Sequence, residues 1–554
     1  MAGLATCFGS GAMTNSMDDI AQHAAAFFII GSNTSEQHPV FGTMLRRAVS
    51  RRGAKLVVAD PRNVDITEFA TLHLRHKPGT DVLLINGLMH IILEKGWEDR
   101  KFIAERTEGF EELKSLLEQY PPDEVAKATE VPEEQLYEAA EILATSKPMA
   151  VMWAMGITQH IVGVRNVMDL ANLQMLLGNM GVPGGGVNPL RGQNNVQGAC
   201  DLGGLPNVYP GYQPVTNEDA RTKFGSAWGA AMPDRIGRTV TEMIPGCLDG
   251  KTKALYILGE DPVMTDPDSN HIDKCLKACE FVLLQEIFPS ETMPYADVLL
   301  PGACFAEKTG TNTNSERRIQ MVRKAVEPPG KAREDWRITA DLARRVLAEG
   351  KRKVSAGKHS TWEYSDTAQI MGEIADLTPS YAGVSHERLE RGERLQWPVK
   401  DATRPGTPIL HVGQFTRGRG KFMPVEHIPP AELPDDDYPF LLSTGRVLYH
   451  WHGGEMTRRA RGLLEVYARS LVEVNPDDAL KLGLNGNKRV RITSRRGQIE
   501  ATAWVTDRVP PGMVFANFHF PGNQNANVLT IAALDPVAKI PEYKICAVKV
   551  EAVR

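Results

Sequence analysis

The 554-residue chain is poor in cysteine, and its seven (Cys7, Cys200, Cys247, Cys275, Cys279, Cys304 and Cys546) form no C-x-x-C pair. The closest spacing, Cys275 to Cys279, lacks companions for a zinc or iron–sulfur set and fits reduced thiols in a cytoplasmic compartment. Long apolar runs are missing too. The longest, 24–30 and 83–93, fall well short of the ~20 residues of a membrane-spanning helix, and no basic-then-apolar leader is visible. Charge of one sign is absent: 63 Lys and Arg stand against 68 Asp and Glu, a net −5, which gives no general drive toward nucleic acid or anionic lipid. G-x-G-x-x-G and G-x-x-x-x-G-K-[ST] are both missing, which weakens nicotinamide and P-loop ATP readings, and neither H-E-x-x-H nor G-x-S-x-G occurs.

The composition that remains is ordinary for a folded protein, with 42% hydrophobic and 24% charged residues. At about 150 residues per domain the length predicts three or four domains. The first third alternates: an apolar run over 24–30 ending at Gly31, a helix over 40–52, a second run over 55–59 ending in Asp60-Pro61-Arg62, a third over 148–155 closed by Gly156, and an apolar helix over 164–180. That is βαβ texture with strands buried on both faces. A Gly- and Asn-rich segment, 184–195, has neither helical nor strand periodicity and reads as an ordered loop or a linker. Runs over 254–258 and 281–284 predict a second open sheet, and 308–434 is mixed and partly interdomain. From Tyr438 onward, runs over 440–443, 471–474, 489–493, 499–505 and 514–518 predict short strands of a barrel.

Open α/β sheets bind ligands beyond the carboxyl ends of their strands, where Gly31-Ser32-Asn33-Thr34 and Asp60-Pro61-Arg62 fall. Asp60 can accept from a purine or ribose, and Arg62 can meet a phosphate or stack on a ring. Lys77-Pro78-Gly79-Thr80-Asp81 offers a similar turn, although each of these taken alone is more simply a turn closing an element. Arg191 is singled out because it stands in an irregular segment with Gln193, Asn194 and Asn195, a set of donors suited to a small carboxylate anion; an exposed Arg in a turn is the plain alternative. Asp201 is equally a salt-bridge partner. His450 and His452 form an isolated H-x-H, more often polar packing than a metal pair.

Taken together these segments resemble the catalytic subunit of molybdenum- or tungsten-dependent formate dehydrogenases, in the molybdopterin oxidoreductase family. The resemblance rests chiefly on Leu190-Arg191-Gly192-Gln193-Asn194-Asn195-Val196-Gln197-Gly198-Ala199-Cys200-Asp201. It is joined by Gly31-Ser32-Asn33-Thr34 with His38-Pro39, Asp60-Pro61-Arg62, Gly156-Ile157-Thr158-Gln159, Gly259-Glu260-Asp261-Pro262, Thr444-Gly445-Arg446 and Pro541-Glu542-Tyr543-Lys544.

The resemblance implies two α/β domains, 1–193 and 194–435 (the second incomplete), and a double-psi type β-barrel, 436–554. It implies two molybdopterin guanine dinucleotides, with Gly31, Asn33, Asp60, Arg62, Gly79, Asp81 and Gly156 at one cofactor and Gly259, Glu260 and Asp261 at the other. Thr444, Arg446, His450, Asn527, Tyr543 and Lys544 would reach in from the barrel. Arg191, aided by Gln193, would bind formate, and no residue of the chain is expected as a protein ligand to the metal.

Family members begin with a [4Fe-4S] segment and a metal-ligating selenocysteine or cysteine followed by histidine. The pattern aligned here starts five residues after that ligand, which suggests that a selenocysteine codon was read as a stop. The chain alone is then expected to be inactive. Its expected partners are iron–sulfur electron-transfer subunits or an NAD-, ferredoxin- or hydrogenase-linked protein, with neither nucleic acid nor membrane involved. A non-catalytic scaffold with the same fold is the alternative, and Arg191 with Gln193 argues against it.

Overall fold

A computed structural model describes residues 1–350, 356–484 and 488–553. The chain packs as two compact units: 1–192 with 262–272 and 409–554, and 193–261 with 273–408.

The first unit contains a five-stranded sheet of β1 (Ala26–Ile30), β2 (Lys55–Ala59), β3 (Leu72–Leu74), β4 (Met149–Trp153) and β5 (Val187–Pro189). The order is β3-β2-β1-β4-β5 and every pairing is parallel. Alternate residues of β1 feed different cores. Ala26, Phe28 and Ile30 pack with α1 (Ala2–Phe8), α3 (Asp81–Glu94) and α4 (Gly163–Leu176), whereas Phe27 and Ile29 pack with Phe41, Leu45 and Ala48 of α2 (Pro39–Arg52). Both faces are covered, which is why the strands read as unbroken apolar runs. Register aligns their ends: Ile30 pairs with Ala59 and Trp153, and Trp153 with Pro189. Gly31, Asp60, Ala154 and Leu190 therefore leave the sheet at one level.

β5 corrects the expectation for the Gly/Asn-rich segment 184–195, which holds a short strand as well as loop. A three-residue edge strand ending in Pro is too short to show a period, and its pairing with β4 alone defines it.

The second unit holds a parallel sheet of β6 (Ala254–Leu258), β7 (Phe281–Glu286) and β8 (Val298–Pro301), and an antiparallel one of β9 (Gly310–Thr313), β10 (Arg318–Val322) and β11 (Leu395–Gln396). The parallel sheet is exposed along part of one face. Leu255 and Ile257 are buried, but Tyr256 and Leu258 are 42% and 48% exposed, and Phe281 and Val298 are exposed as well.

The barrel belongs to the first unit. Its strands are β12 (Phe440–Gly445), β13 (Leu471–Val474), β14 (Arg489–Thr493), β15 (Gln498–Val505), β16 (Met513–Asn517) and β17 (Cys546–Ala552), closed in the order β12-β16-β13-β15-β14-β17. Two parallel pairs, β12 with β16 and β13 with β15, interrupt the otherwise antiparallel ring. β17 went unread in the sequence because Lys549 and Glu551 point outward and break the apolar run of a strand whose buried positions are Cys546, Ala547, Val548 and Val550. No helix among the described residues is long and apolar enough to cross a membrane.

Candidate cofactor and substrate site

The turns after β1 and β4 lie back to back. Gly31 (φ +56°) donates its amide to the Ala59 carbonyl at 3.0 Å, and Gly156 donates to the Gly31 carbonyl at 3.0 Å. A Cβ on Gly156 would stand 2.6 Å from Gly31 backbone atoms, so the close approach requires glycine. Just beyond, the side-chain amide of Asn33 is buried with neither its oxygen nor its nitrogen hydrogen-bonded. Leaving such a group unsatisfied costs about 1–3 kcal/mol, which a ligand carrying a matching donor and acceptor would recover.

After β2, Asp60 accepts from the Arg62 amide at 2.9 Å. The Arg62 guanidinium is held bidentately by Glu473 of β13 (2.6 and 3.1 Å) and lies 3.5 Å from the Phe515 ring centre on β16. Lys544 is half-buried and donates to the Thr444 carbonyl. Burial, then the nearby positive charge of Arg62, brings its pKa down to about 7, Asp60 opposes the shift, and Arg446 adds to it. Burial likewise raises the Asp60 carboxyl above its ordinary range. The Arg446 guanidinium lies over Trp451 at 5.0 Å, and among the described residues no carboxylate pairs with it; burial lowers its pKa to about 10. Arg62, Lys544 and Arg446 thus gather positive charge that Asp60 and Glu473 offset only in part.

β5 runs on through Leu190, whose amide donates to the Trp153 carbonyl at 2.8 Å, into Arg191. His38 Nε2 donates to the Arg191 carbonyl at 2.8 Å and burial lowers the pKa of the ring, so His38 is neutral with Nδ1 bare. A Cβ on Gly192 would be 3.3 Å from Arg446 Nη2, which puts that guanidinium beside the Arg191-Gly192 backbone.

His519 is fixed as a neutral tautomer, because Nε2 accepts from the Val447 amide at 3.0 Å and Nδ1 therefore donates to the His452 carbonyl. Burial pushes its pKa down to about 3. His452 has φ +45°, packs edge-on against Trp451 at 4.5 Å, and keeps a buried Nε2 without a partner. Burial brings its pKa to about 4. A non-glycine residue held in the left-handed region with an unsatisfied ring nitrogen is the mark of a ligand contact.

The other expected residues fall as follows. His450 has both ring nitrogens engaged, by Thr457 Oγ1 at 3.1 Å and the Tyr467 carbonyl at 2.7 Å, so His452 is the member of the H-x-H pair with a free buried nitrogen. Asp81 pairs with His76 at 3.1 Å, a hydrogen bond that lowers the carboxylate and raises the imidazole, while burial opposes both shifts. Gly79 has φ +83°, and a Cβ there would meet Pro430. Thr444 Oγ1 donates to the Tyr543 carbonyl at 2.8 Å. Tyr543 OH and Asn527 Nδ2 donate to the carbonyls of Thr265 and Met264, at 2.9 and 2.7 Å.

In the second unit, Asp261 accepts from Thr292 Oγ1 (2.6 Å) and the Glu291 amide (3.0 Å). There Gly259 has φ +62°, and burial together with Asp261 raises the Glu260 pKa. Gln193 is exposed. Asp201 accepts from Gln197, Tyr212 and Tyr381, at 2.6, 2.8 and 2.9 Å.

Residues 5–345 match the family described as Molybdopterin oxidoreductase, and 440–547 match the Molydopterin dinucleotide binding domain. The chain belongs to the molybdopterin oxidoreductase family. Within that family it is 46% identical over 552 residues to the F420-dependent formate dehydrogenase subunit alpha of Methanocaldococcus jannaschii, covering 99% of this chain and 79% of that protein. It is 36% identical over 557 residues to formate dehydrogenase H of Escherichia coli, covering 100% of this chain and 76% of that protein. The solved structure of acetylene hydratase from Pelobacter acetylenicus is similar in fold, with a TM-score of 0.75 at 18% identity over 100% of this chain and 80% of that one.

Among molybdopterin oxidoreductase residues of this chain, His38, His452, His519 and Glu473 are the ones that sequence reasoning left without a role. His38 was in view only as part of His38-Pro39, and His452 only as half of a metal pair. What marks them in the structure is a bond to a distant backbone or side chain.

Proposed function

We propose that this chain oxidises formate to carbon dioxide, releasing two electrons and a proton, as part of a molybdopterin-dependent formate dehydrogenase. The observation that carries the reading is Arg191, which leaves the sheet at the aligned strand ends with its backbone tied to His38 and Arg446 beside it. The alpha subunits similar to it over nearly its whole length are named for formate.

The residues of the first unit fit an anionic dinucleotide cofactor on counts of their own: the unsatisfied amide of Asn33, the carboxylate-free Arg446 and the half-buried Lys544. Gly31, Asn33, Asp60, Arg62, Gly79, Asp81, Gly156, Thr444, Arg446, His450, Asn527, Tyr543 and Lys544 would hold it. When bound, the molybdopterin metal centre, molybdenum or tungsten, supplies the two-electron acceptor.

Arg191 would grip the formate carboxylate through two parallel N–H groups and set the direction of its C–H bond, an orienting and electrostatic contribution, with Gln193 aiding. Neutral His38 fixes the backbone that carries this guanidinium. We propose a second dinucleotide at Gly259, Glu260 and Asp261, giving the bis form. Electrons would pass to [4Fe-4S] clusters outside these residues, on to an iron–sulfur, NAD-, ferredoxin- or hydrogenase-linked partner, in the cytoplasm. Because none of its residues is expected to serve as protein ligand to the metal, the chain alone is expected to turn over little or no formate even with an artificial acceptor.

The test is production of 13C-carbon dioxide from 13C-formate, with a viologen dye as acceptor, by the complex purified from its source and by the 554-residue chain alone. The complex is expected to be active and the chain nearly silent. A cofactor-replete complex that leaves formate untouched would overturn the reading in favour of a scaffold.

A further inference from the structure

Three of the seven cysteines gather in the second unit, among residues given no role above. Cys247 closes the single turn Pro245–Cys247 and is buried, with Sγ 3.9 Å from the Met243 carbonyl. The Thr252 amide donates to the Gly246 carbonyl at 2.9 Å, folding this turn straight into β6. Cys279 follows the helix Ser269–Ala278 and is half-buried, with Sγ 3.6 Å from the Lys253 carbonyl and 3.5 Å from that of Phe281. The Phe281 amide donates to the Lys253 carbonyl at 3.1 Å, so β6 and β7 begin side by side there. Both thiols therefore sit at the foot of β6, in side-chain contact with each other, and Cys275 lies buried one turn earlier on the helix.

The described residues contain no group of three or more His, Cys, Asp or Glu placed to hold a metal ion, which leaves the chemistry of a pair. We propose that Cys247 and Cys279 are a redox couple that closes reversibly into a disulfide under hydroperoxide. The half-exposed Cys279 sulfur attacks one peroxide oxygen: an S–O bond forms, the O–O bond breaks, and water leaves. The Cys247 sulfur then attacks the sulfenic sulfur: the S–S bond forms, the S–O bond breaks, and a second water leaves. Two thiols and one hydrogen peroxide give one disulfide and two waters, and an external dithiol reverses the change by exchange.

The asymmetry in exposure sets the order. Burial raises the Cys247 thiol to about 12, so it is inert toward solvent oxidants and reacts only with the sulfur beside it. Once closed, the bond would tie the turn before β6 to the end of the helix before β7.

The experiment treats the full, reduced chain with hydrogen peroxide, blocks free thiols with iodoacetamide under denaturing conditions, and digests with trypsin without reductant. Cleavage after Lys277 separates Cys275 from Cys279. A linked Cys247–Cys279 peptide is expected, with two fewer alkylated thiols, and dithiothreitol should remove the link. Cys275→Ser should keep it and Cys279→Ser abolish it, with far-ultraviolet circular dichroism confirming that each variant folds. The half-buried Cys200 reports general oxidation, and because Cys304 shares the tryptic peptide 278–308 with Cys279, fragment ions between the two locate the linked sulfur. A Cys275–Cys279 link, or Cys279 oxidised to sulfinic acid with Cys247 still alkylated, would overturn the proposal.

Discussion

Arg62, three residues past the end of β2, and Glu473 on β13 form a bidentate ion pair between residues 411 positions apart in sequence. Both are nearly inaccessible to solvent. Removing one partner should therefore strand a buried charge. Arg508 also lies 3.6 Å from Glu473, so the variant that strands a charge is Glu473→Ala, expected to cost about 3–5 kcal/mol, and exchanging both Arg62 and Glu473 for apolar residues of similar size should cost much less. Urea denaturation of the single and double variants measures this; equal losses in both would rule out a stranded charge.

Lys544 makes stability depend on pH in a defined direction. Its folded pKa, about 7, lies below the ~10.4 of an unfolded lysine, so between these values the unfolded chain holds a proton that the folded chain has released. Stability of the cofactor-free chain should rise with pH across that window and level off above it. Lys544→Met should be the more stable protein near pH 6 to 7, with the difference closing by about pH 10. Parallel denaturation curves at all pH values would contradict the assignment.

Arg191→Lys replaces a planar two-donor fork by a point charge. Losing one hydrogen bond to a charged group is worth about 1.5–3 kcal/mol, on the order of 10- to 100-fold in kcat/KM for formate. Cofactor content should be unchanged. Steady-state kinetics on the complete complex decides it, and an unaltered kcat/KM would remove Arg191 from the substrate site.

His452 combines a left-handed backbone with a bare buried nitrogen, and two substitutions separate these features. His452→Asn tolerates the conformation and should keep the thermal midpoint while lowering the molybdopterin retained on purification. His452→Val should add a backbone penalty of about 1–2 kcal/mol. Pterin fluorescence per chain and thermal unfolding report the two effects, and full retention in the Asn variant would make the strained residue purely structural.

Much of the frame was legible because its causes are local. The runs of β1, β2 and β4 are apolar at every position but Lys55 because helices cover both faces of their sheet, and the barrel strands are bounded by turn residues. Asp60 and Gly31 were findable as polar or flexible residues just past strand ends, and Arg191 as a cation in an irregular Gly- and Asn-rich segment. What escaped depends on distant partners. β5 is a strand only by virtue of β4, and the φ of His452 is held by His519, 67 residues on. Glu473 sits in an apolar strand and gains meaning only opposite Arg62.

The partly exposed face of the β6-β7-β8 sheet has a colloidal consequence. On one side of the sheet Tyr256, Leu258, Phe281 and Val298 put apolar side chains in water, where apolar patches drive association. Purified alone, the chain should therefore have a low ceiling of usable concentration, set by these few side chains rather than by its net charge. Leu258→Lys should raise that ceiling without moving the unfolding temperature, because the residue it replaces is already wet.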